Sequence, residues 1–287
     1  MDYTALISPS ALEPRLQDDG WAVIDCRHQL SDAAYGRRVY AEGHIPGARF
    51  AHMDETLAAP VTAGSGRHPL PDMERFAGWL GGQGVGNDTQ VIAYDDDSGV
   101  MAARLWWMLR YLGHGKVAVL DGGMARWKRE RRPMEDRVPA PAPATFSARL
   151  DEGARISLED LLGVYRSTGR LLVDARGAER FEGKSEPIDP VAGHIPGAAN
   201  RPFMANLAGD GTFLPPTALK EQLLAAFGSA PPERTIHYCG SGVSACHNLL
   251  AMAHAGLPAG RLYVGSWSQW CADPARPVET GPAQPRN

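Results

Sequence analysis

The segment Gly43-His44-Ile45-Pro46-Gly47-Ala48 returns unchanged as Gly193-His194-Ile195-Pro196-Gly197-Ala198. A chain that repeats itself in order is built from copies of one unit, so this feature constrains the fold more than any other. Three further pairs keep the same order: Val23-Ile24-Asp25-Cys26-Arg27 with Leu172-Val173-Asp174-Ala175-Arg176, Ala93 to Val100 with His237 to Ala245, and Leu120 to Trp127 with Tyr263 to Trp270. What both halves share belongs to the fold, and what only one half has is a candidate for chemistry. The length of 287 residues also favours two domains at about 100 to 200 residues each. We place them at 1–132 and 151–287, joined by a proline- and alanine-rich segment, 133–150, that reads as a semi-rigid linker.

Hydrophobic patterning sets the type of unit. In the second half Ser157 opens an apolar-periodic segment with Asp160 at the capping-box position, which predicts a helix. Leu171 to Asp174, Thr235 to Tyr238 and Arg261 to Val264 read as short buried strands, with helices predicted over Thr217 to Phe227 and Val243 to Ala255. The first half repeats the order, with strands at Ala22 to Asp25, Val91 to Tyr94 and Val117 to Leu120 and helices at Asp72 to Leu80 and Met101 to Leu112. Strands alternating with helices imply an α/β fold: in each half, a mainly parallel sheet with helices on both faces. Ligands of such sheets sit at the carboxyl ends of the strands.

At that end of the second half stands Cys239-Gly240-Ser241-Gly242-Val243-Ser244-Ala245. A thiol attacks as thiolate, and an ordinary cysteine with a pKa near 8.5 is mostly protonated at neutral pH. Gly240 and Gly242 allow successive N–H groups, including those of Val243 and Ser244, to turn inward as an anion-binding nest, and the following helix adds its positive end. Ser241 adds a hydroxyl. The matching position of the first half is Asp95, so the candidate nucleophile belongs to one copy only. Cys26, Cys246 and Cys271 lack this context and read as packing residues.

Composition excludes other classes. A net charge of -4 and a basic run confined to Arg126 to Arg132 give no footprint for nucleic acid. No apolar run approaches a membrane span and the start has no secretory pattern, so the expectation is a cytoplasmic protein without membrane contact. Four cysteines with no Cys-x-x-Cys pair offer neither a disulfide scaffold nor a zinc set, so no metal and no cofactor is expected.

With these residues in view, the chain resembles the tandem-domain rhodanese family of sulfurtransferases over nearly its whole length. The features that match are the two Gly-His-Ile-Pro-Gly-Ala segments, Asp25/Arg27 and Asp174/Arg176, the Trp106-Trp107 helix and the single cysteine loop. The resemblance implies two rhodanese-like domains, the first catalytically silent and the second forming a persulfide on Cys239. The Cys-Gly-Ser-Gly-Val-Ser-Ala loop is similar to that of the members acting on 3-mercaptopyruvate, departing at Ser244. Members acting on thiosulfate follow the cysteine with Arg-Lys, and an uncharged loop is expected to leave a dianionic donor without anchors. Arg180, absent from the first half, is implied as the partner of the donor carboxylate. A second arginine that the resemblance leads one to expect is missing from Ser185 to Ala192. Ser241, His68 and Asp54 are implied as a proton relay. The acceptor is expected to be a thiol or cyanide, with a thioredoxin-like reductant as one candidate. Thiosulfate as donor remains the alternative. A cysteine phosphatase is disfavoured because Ala245 stands where Cys-x5-Arg needs arginine, and a non-enzymatic sulfur or redox sensor stays open.

Overall fold

The computed structural model of the chain describes residues 2–167 and 169–283. Among the described residues ten strands build two sheets: β1 (Leu6–Ile7), β2 (Trp21–Asp25), β3 (Arg49–Phe50), β4 (Gln90–Tyr94) and β5 (Val117–Leu120), then β6 (Arg155–Ile156), β7 (Leu171–Asp174), β8 (Ala199–Asn200), β9 (Thr235–Tyr238) and β10 (Arg261–Tyr263). The first sheet runs β1-β5-β4-β2-β3 and the second β6-β10-β9-β7-β8, with every neighbouring pair parallel. The two orders are the same, so the duplication seen in the sequence is a duplication of topology. Within each sheet the chain steps first one way and then back. Right-handed crossovers of opposite direction place helices on opposite faces.

The chain divides into two compact units, one of Met1–Ala59, Leu70–Asp151 and Gly209–Thr212, the other of Pro60–Pro69, Glu152–Ala208 and Phe213–Asn287. Each has its own core. In the first, Val23, Ile92, Ala118 and Leu120 pack with Met124 and Trp127; in the second, Leu172, Ile236 and Tyr263 pack with Trp267 and Trp270. The proline-rich segment does not hang free between them. Ala144 N–H donates to Gly81 O and Arg149 N–H to Leu112 O, both at 2.9 Å, and Phe146 is buried beside His114, so this stretch is laid along the first unit.

The repeated motifs hold the scaffold. Asp25 and Asp174, at the ends of β2 and β7, are fully buried and each takes the guanidinium of the arginine two residues on at 2.6 Å. Those arginines in turn donate to Gly43 O and Gly193 O. His44 stacks on Tyr40 with ring centroids 4.0 Å apart, and His194 on Phe181 at 3.7 Å. Through their backbones His44 pairs with Glu135 and His194 with Glu279. Identical bonds in both units mark these residues as scaffold. Trp106 and Trp107 are buried, Trp106 donating to Thr4 O at 2.9 Å, which makes them core residues.

Candidate functional site

Strands β7 and β9 are neighbours whose following connections leave in opposite directions, which opens a crevice at their carboxyl ends. Cys239 lies there, directly after β9. It is 1% exposed; its N–H donates to Ser266 Oγ at 3.1 Å, and its carbonyl accepts from Trp267 N at 2.9 Å. Gly242 N–H points back at Cys239 Sγ, 3.1 Å away. Gly242 has φ +80°, and a Cβ there would lie 2.4 Å from Val264 O, so glycine alone fits the turn. Val243 is buried and Ser244 begins the helix Ser244–His254, which directs its amino end at the loop.

The first unit shows what this loop geometry holds. There the helix Val100–Tyr111 begins after Gly99, which has φ +77°, and the Asp95 carboxylate accepts from Gly99 N at 2.8 Å, Met101 N at 2.8 Å and Ala102 N at 3.2 Å. It is an anion nest filled by the chain's own side chain. Burial pushes the Asp95 carboxyl up to about 6, against the pull of those three N–H groups. A carboxyl raised on folding binds its proton more tightly in the folded chain. Its stabilising contribution is therefore full at low pH and lost as pH rises through about 6. The stability difference between wild type and Asp95→Asn, followed by urea denaturation, is expected to move in favour of asparagine by about 2 kcal/mol between pH 4 and pH 7. A flat difference would show that burial does not govern this group.

The other predicted residues fall in different places. His68 belongs to the stretch Pro60–Pro69 that is part of the second unit, and its Nδ1 lies 2.7 Å from Ser241 Oγ, both groups buried. Asp54 belongs to the first unit, where its N–H donates to His52 Nδ1 at 3.1 Å and its carboxylate approaches His28 Nε2 at 4.0 Å. His28, His52 and Asp54 bring donor atoms within 4.8 Å of one another. Both nitrogens of His52 are nevertheless engaged, by Ala33 O and Asp54 N–H, which makes this a hydrogen-bonded cluster. Burial pushes the thiols of Cys26 and Cys271 up, and Cys246 Sγ donates to Gly242 O at 3.3 Å.

Arg180 sits on the short helix Ala178–Phe181 after β7. Its Nε and Nη2 are held by Glu186, the latter at 2.7 Å, and Nη2 also meets Asp189 at 3.1 Å. Glu186 reaches Arg176 Nη1 at 3.2 Å as well. A second cation, one not foreseen from the sequence, completes the group: Arg67, beside His68, pairs with the other oxygen of Asp189. The expectation that an uncharged loop leaves the site with Arg180 as its cation is thereby extended by Arg67. The loop itself has none, but a Cβ on Gly240 would lie 2.8 Å from Arg67 Nη2 and 3.5 Å from Arg180 Nη2, so two guanidinium groups flank it. The uncharged loop is therefore accompanied by two guanidinium groups from neighbouring segments, each paired with a carboxylate.

Residues 8–130 and 157–273 each match the Rhodanese-like domain. The chain belongs to the rhodanese-like family. A Pseudomonas aeruginosa protein named "Probable 3-mercaptopyruvate sulfurtransferase" is 46% identical over 283 residues, covering 98% of this chain and 100% of that one. The thiosulfate sulfurtransferase of Bos taurus is 36% identical, covering 93% and 92%. The crystal structure of SseA from Escherichia coli, a 3-mercaptopyruvate sulfotransferase, superposes with a TM-score of 0.79 at 32% identity over 93% of this chain and 100% of that one. Among the described residues no helix is long and apolar enough to cross a membrane.

Proposed function

We propose that this rhodanese-like chain is a sulfurtransferase that takes the sulfur of 3-mercaptopyruvate onto Cys239 and passes it to a thiol or cyanide, releasing pyruvate. In the first half-reaction the Cys239 thiolate attacks the donor sulfur. The S–S bond forms as the donor's C–S bond breaks, and the electron pair moves into the carbonyl to give the enolate of pyruvate, which takes up a proton. Ser241 and His68 are the pair within hydrogen-bond distance that would deliver that proton. In the second half-reaction the acceptor attacks the outer sulfur and Cys239 leaves as thiolate.

The observation that carries the reading is the pair of nests. A carboxylate oxygen stands one bond beyond the γ atom, as the outer sulfur of a persulfide stands one bond beyond Sγ. Asp95 fills that position in the first loop with three N–H bonds. The corresponding loop in the second unit has Cys239, with Gly242 N–H on Sγ and the N–H groups of Gly240, Val243 and Ser244 assigned to the outer sulfur. The first domain is accordingly read as silent. Donor identity leans on the 46% identical relative; thiosulfate is the second reading, favoured by the bovine relative and by the two flanking cations. Four free, buried cysteines fit a reducing, cytoplasmic setting and a thiol acceptor such as a thioredoxin-like reductant.

The test is steady-state kinetics with each donor. Wild type is expected to give the higher kcat/KM on 3-mercaptopyruvate. Arg180→Ala should lose about 100-fold on that donor through the lost charge-assisted bonds. His68→Asn is expected to lower kcat with little change in KM. A higher kcat/KM on thiosulfate would transfer the assignment to that donor.

A further inference from the structure

The first unit has no thiol in its nest, yet its edge strand carries a cation that the second copy lacks. The segments Gly43 to Phe50 and Gly193 to Asn200 agree as far as the strand, where Arg49 and Phe50 stand against Ala199 and Asn200. A cavity opens beside that strand in both units. In the first it measures about 380 Å³ and is lined by Arg37, Tyr40, Arg49 and Phe50, with Val138 and Pro139 of the proline-rich segment; in the second it opens beside Ala199 and Phe227. The space belongs to the fold, and the strand arginine to one copy.

Arg49 is half-buried, and its Nη1 donates to Gly47 O at 3.2 Å. Its Nε is buried with no hydrogen-bond partner among the described residues. Nη2, on the same edge of the guanidinium, lies beside the turn at Gly84, 3.7 Å from where a Cβ there would stand. Elsewhere the chain shows what this edge takes. The Nε and Nη2 groups of Arg27, Arg176 and Arg180 bond the carboxylates of Asp25, Asp174 and Glu186. Burial pulls the pKa of Arg27, Arg176 and Arg49 down alike; Asp25 and Asp174 more than reverse this for the first two, whereas Arg49 stays below the ordinary arginine value. The rings of Tyr40 and Phe50, with centroids 5.4 Å apart, give the cavity an aromatic side, and the Arg37 guanidinium, paired with Glu55, lies 5.8 Å over Phe50.

We propose that this cavity of the first unit binds a small organic anion, a carboxylate on a flat apolar body, with its oxygens on Nε and Nη2 of Arg49 and its body against Phe50, Tyr40, Val138 and Pro139. Two-pronged recognition of a carboxylate is what this edge of arginine does best. A half-buried cation that meets no carboxylate carries a desolvation cost, which an anionic ligand removes. The volume lies within the range of small-molecule sites, about 300 to 1,000 Å³, and aromatic faces favour a planar ring. None of these residues belongs to the Cys239 loop or to the arginines beside it.

The test is calorimetric titration of the full chain with benzoate, beside benzamide, which keeps the ring without the charge, and acetate, which keeps the charge without the ring. Wild type is expected to bind benzoate with a Kd of about 1 mM or below, and the other two at least about 10-fold more weakly. Arg49→Gln should weaken benzoate about 10- to 100-fold, and Arg49→Lys should recover part of the loss. Both should keep wild-type kcat/KM on either sulfur donor, which also shows that they fold. Phe50→Leu keeps the cation and should weaken benzoate about 3- to 10-fold while leaving acetate unchanged. Arg180→Ala should leave benzoate affinity as it is; a loss there places the probe beside Cys239 and overturns the proposal. Benzamide or acetate binding as tightly as benzoate, or benzoate affinity unchanged in Arg49→Gln or in Phe50→Leu, overturns it too. So does an absence of binding in wild type at benzoate concentrations up to about 10 mM.

Discussion

Cys239→Ser is expected to lower turnover by roughly three orders of magnitude or more on either donor, because a hydroxyl at this position is neither ionised nor able to hold a transferable sulfur. Wild type exposed to donor should gain the mass of one sulfur on the peptide carrying Cys239, and the serine variant should gain none. The other thiols provide the control. Cys26 and Cys271 are buried with their thiols pushed up by burial, and Cys246 is committed to Gly242 O. None stands beneath a nest, so Cys246→Ser should leave the sulfur gain intact. Turnover persisting in Cys239→Ser, or sulfur appearing on another cysteine at equal rate, would end the assignment of this loop as the reaction centre.

Much of this was legible because the chain carries its own comparison. The strands Leu171–Asp174, Thr235–Tyr238 and Val117–Leu120 were expected at the bounds observed, since short apolar runs closed by turn residues have few other readings. Strands Leu6–Ile7, Arg49–Phe50, Arg155–Ile156 and Ala199–Asn200 escaped, because two residues show no period. In the site, the position of Cys239 after a strand and before a helix could be read from spacing. Arg67 could not, for it arrives from a distant loop without periodicity. The duplication nevertheless held a signal: Gly66-Arg67-His68 lines up with Gly211-Thr212-Phe213, so arginine and histidine are features of one copy there. The role of Glu186 was hidden for another reason. Which carboxylate meets which arginine depends on how the loop Ser185 to Ala192 folds back, and no spacing rule states that.

Glu186→Ala is expected to lower stability by about 3 kcal/mol, the lower end of what breaking a buried ion pair does. The carboxylate is 3% exposed and receives Arg176 Nη1 at 3.2 Å, Arg180 Nη2 at 2.7 Å, and the N–H groups of Ile188 and Asp189, each at 3.1 Å. Removing it leaves the Arg176 guanidinium, 1% exposed, with Asp174 as its remaining carboxylate. The Arg180 side chain is 21% exposed, so water recovers part of its loss, which keeps the figure from the upper end. For a unit of this size the change corresponds to a drop of about 10 °C in the melting transition. Glu186→Gln retains an acceptor oxygen and the volume, and should lose about half as much. The functional consequence is separable from the stability loss. Below the transition, Glu186→Ala frees Arg180 from the carboxylate that orients it toward Gly240, so the donor KM should rise while kcat at saturation stays near that of wild type. Scanning calorimetry with two-donor kinetics on the same preparations checks both. A melting transition within 2 °C of wild type, about half a kilocalorie, would mean that Glu186 neutralises charge without organising the site.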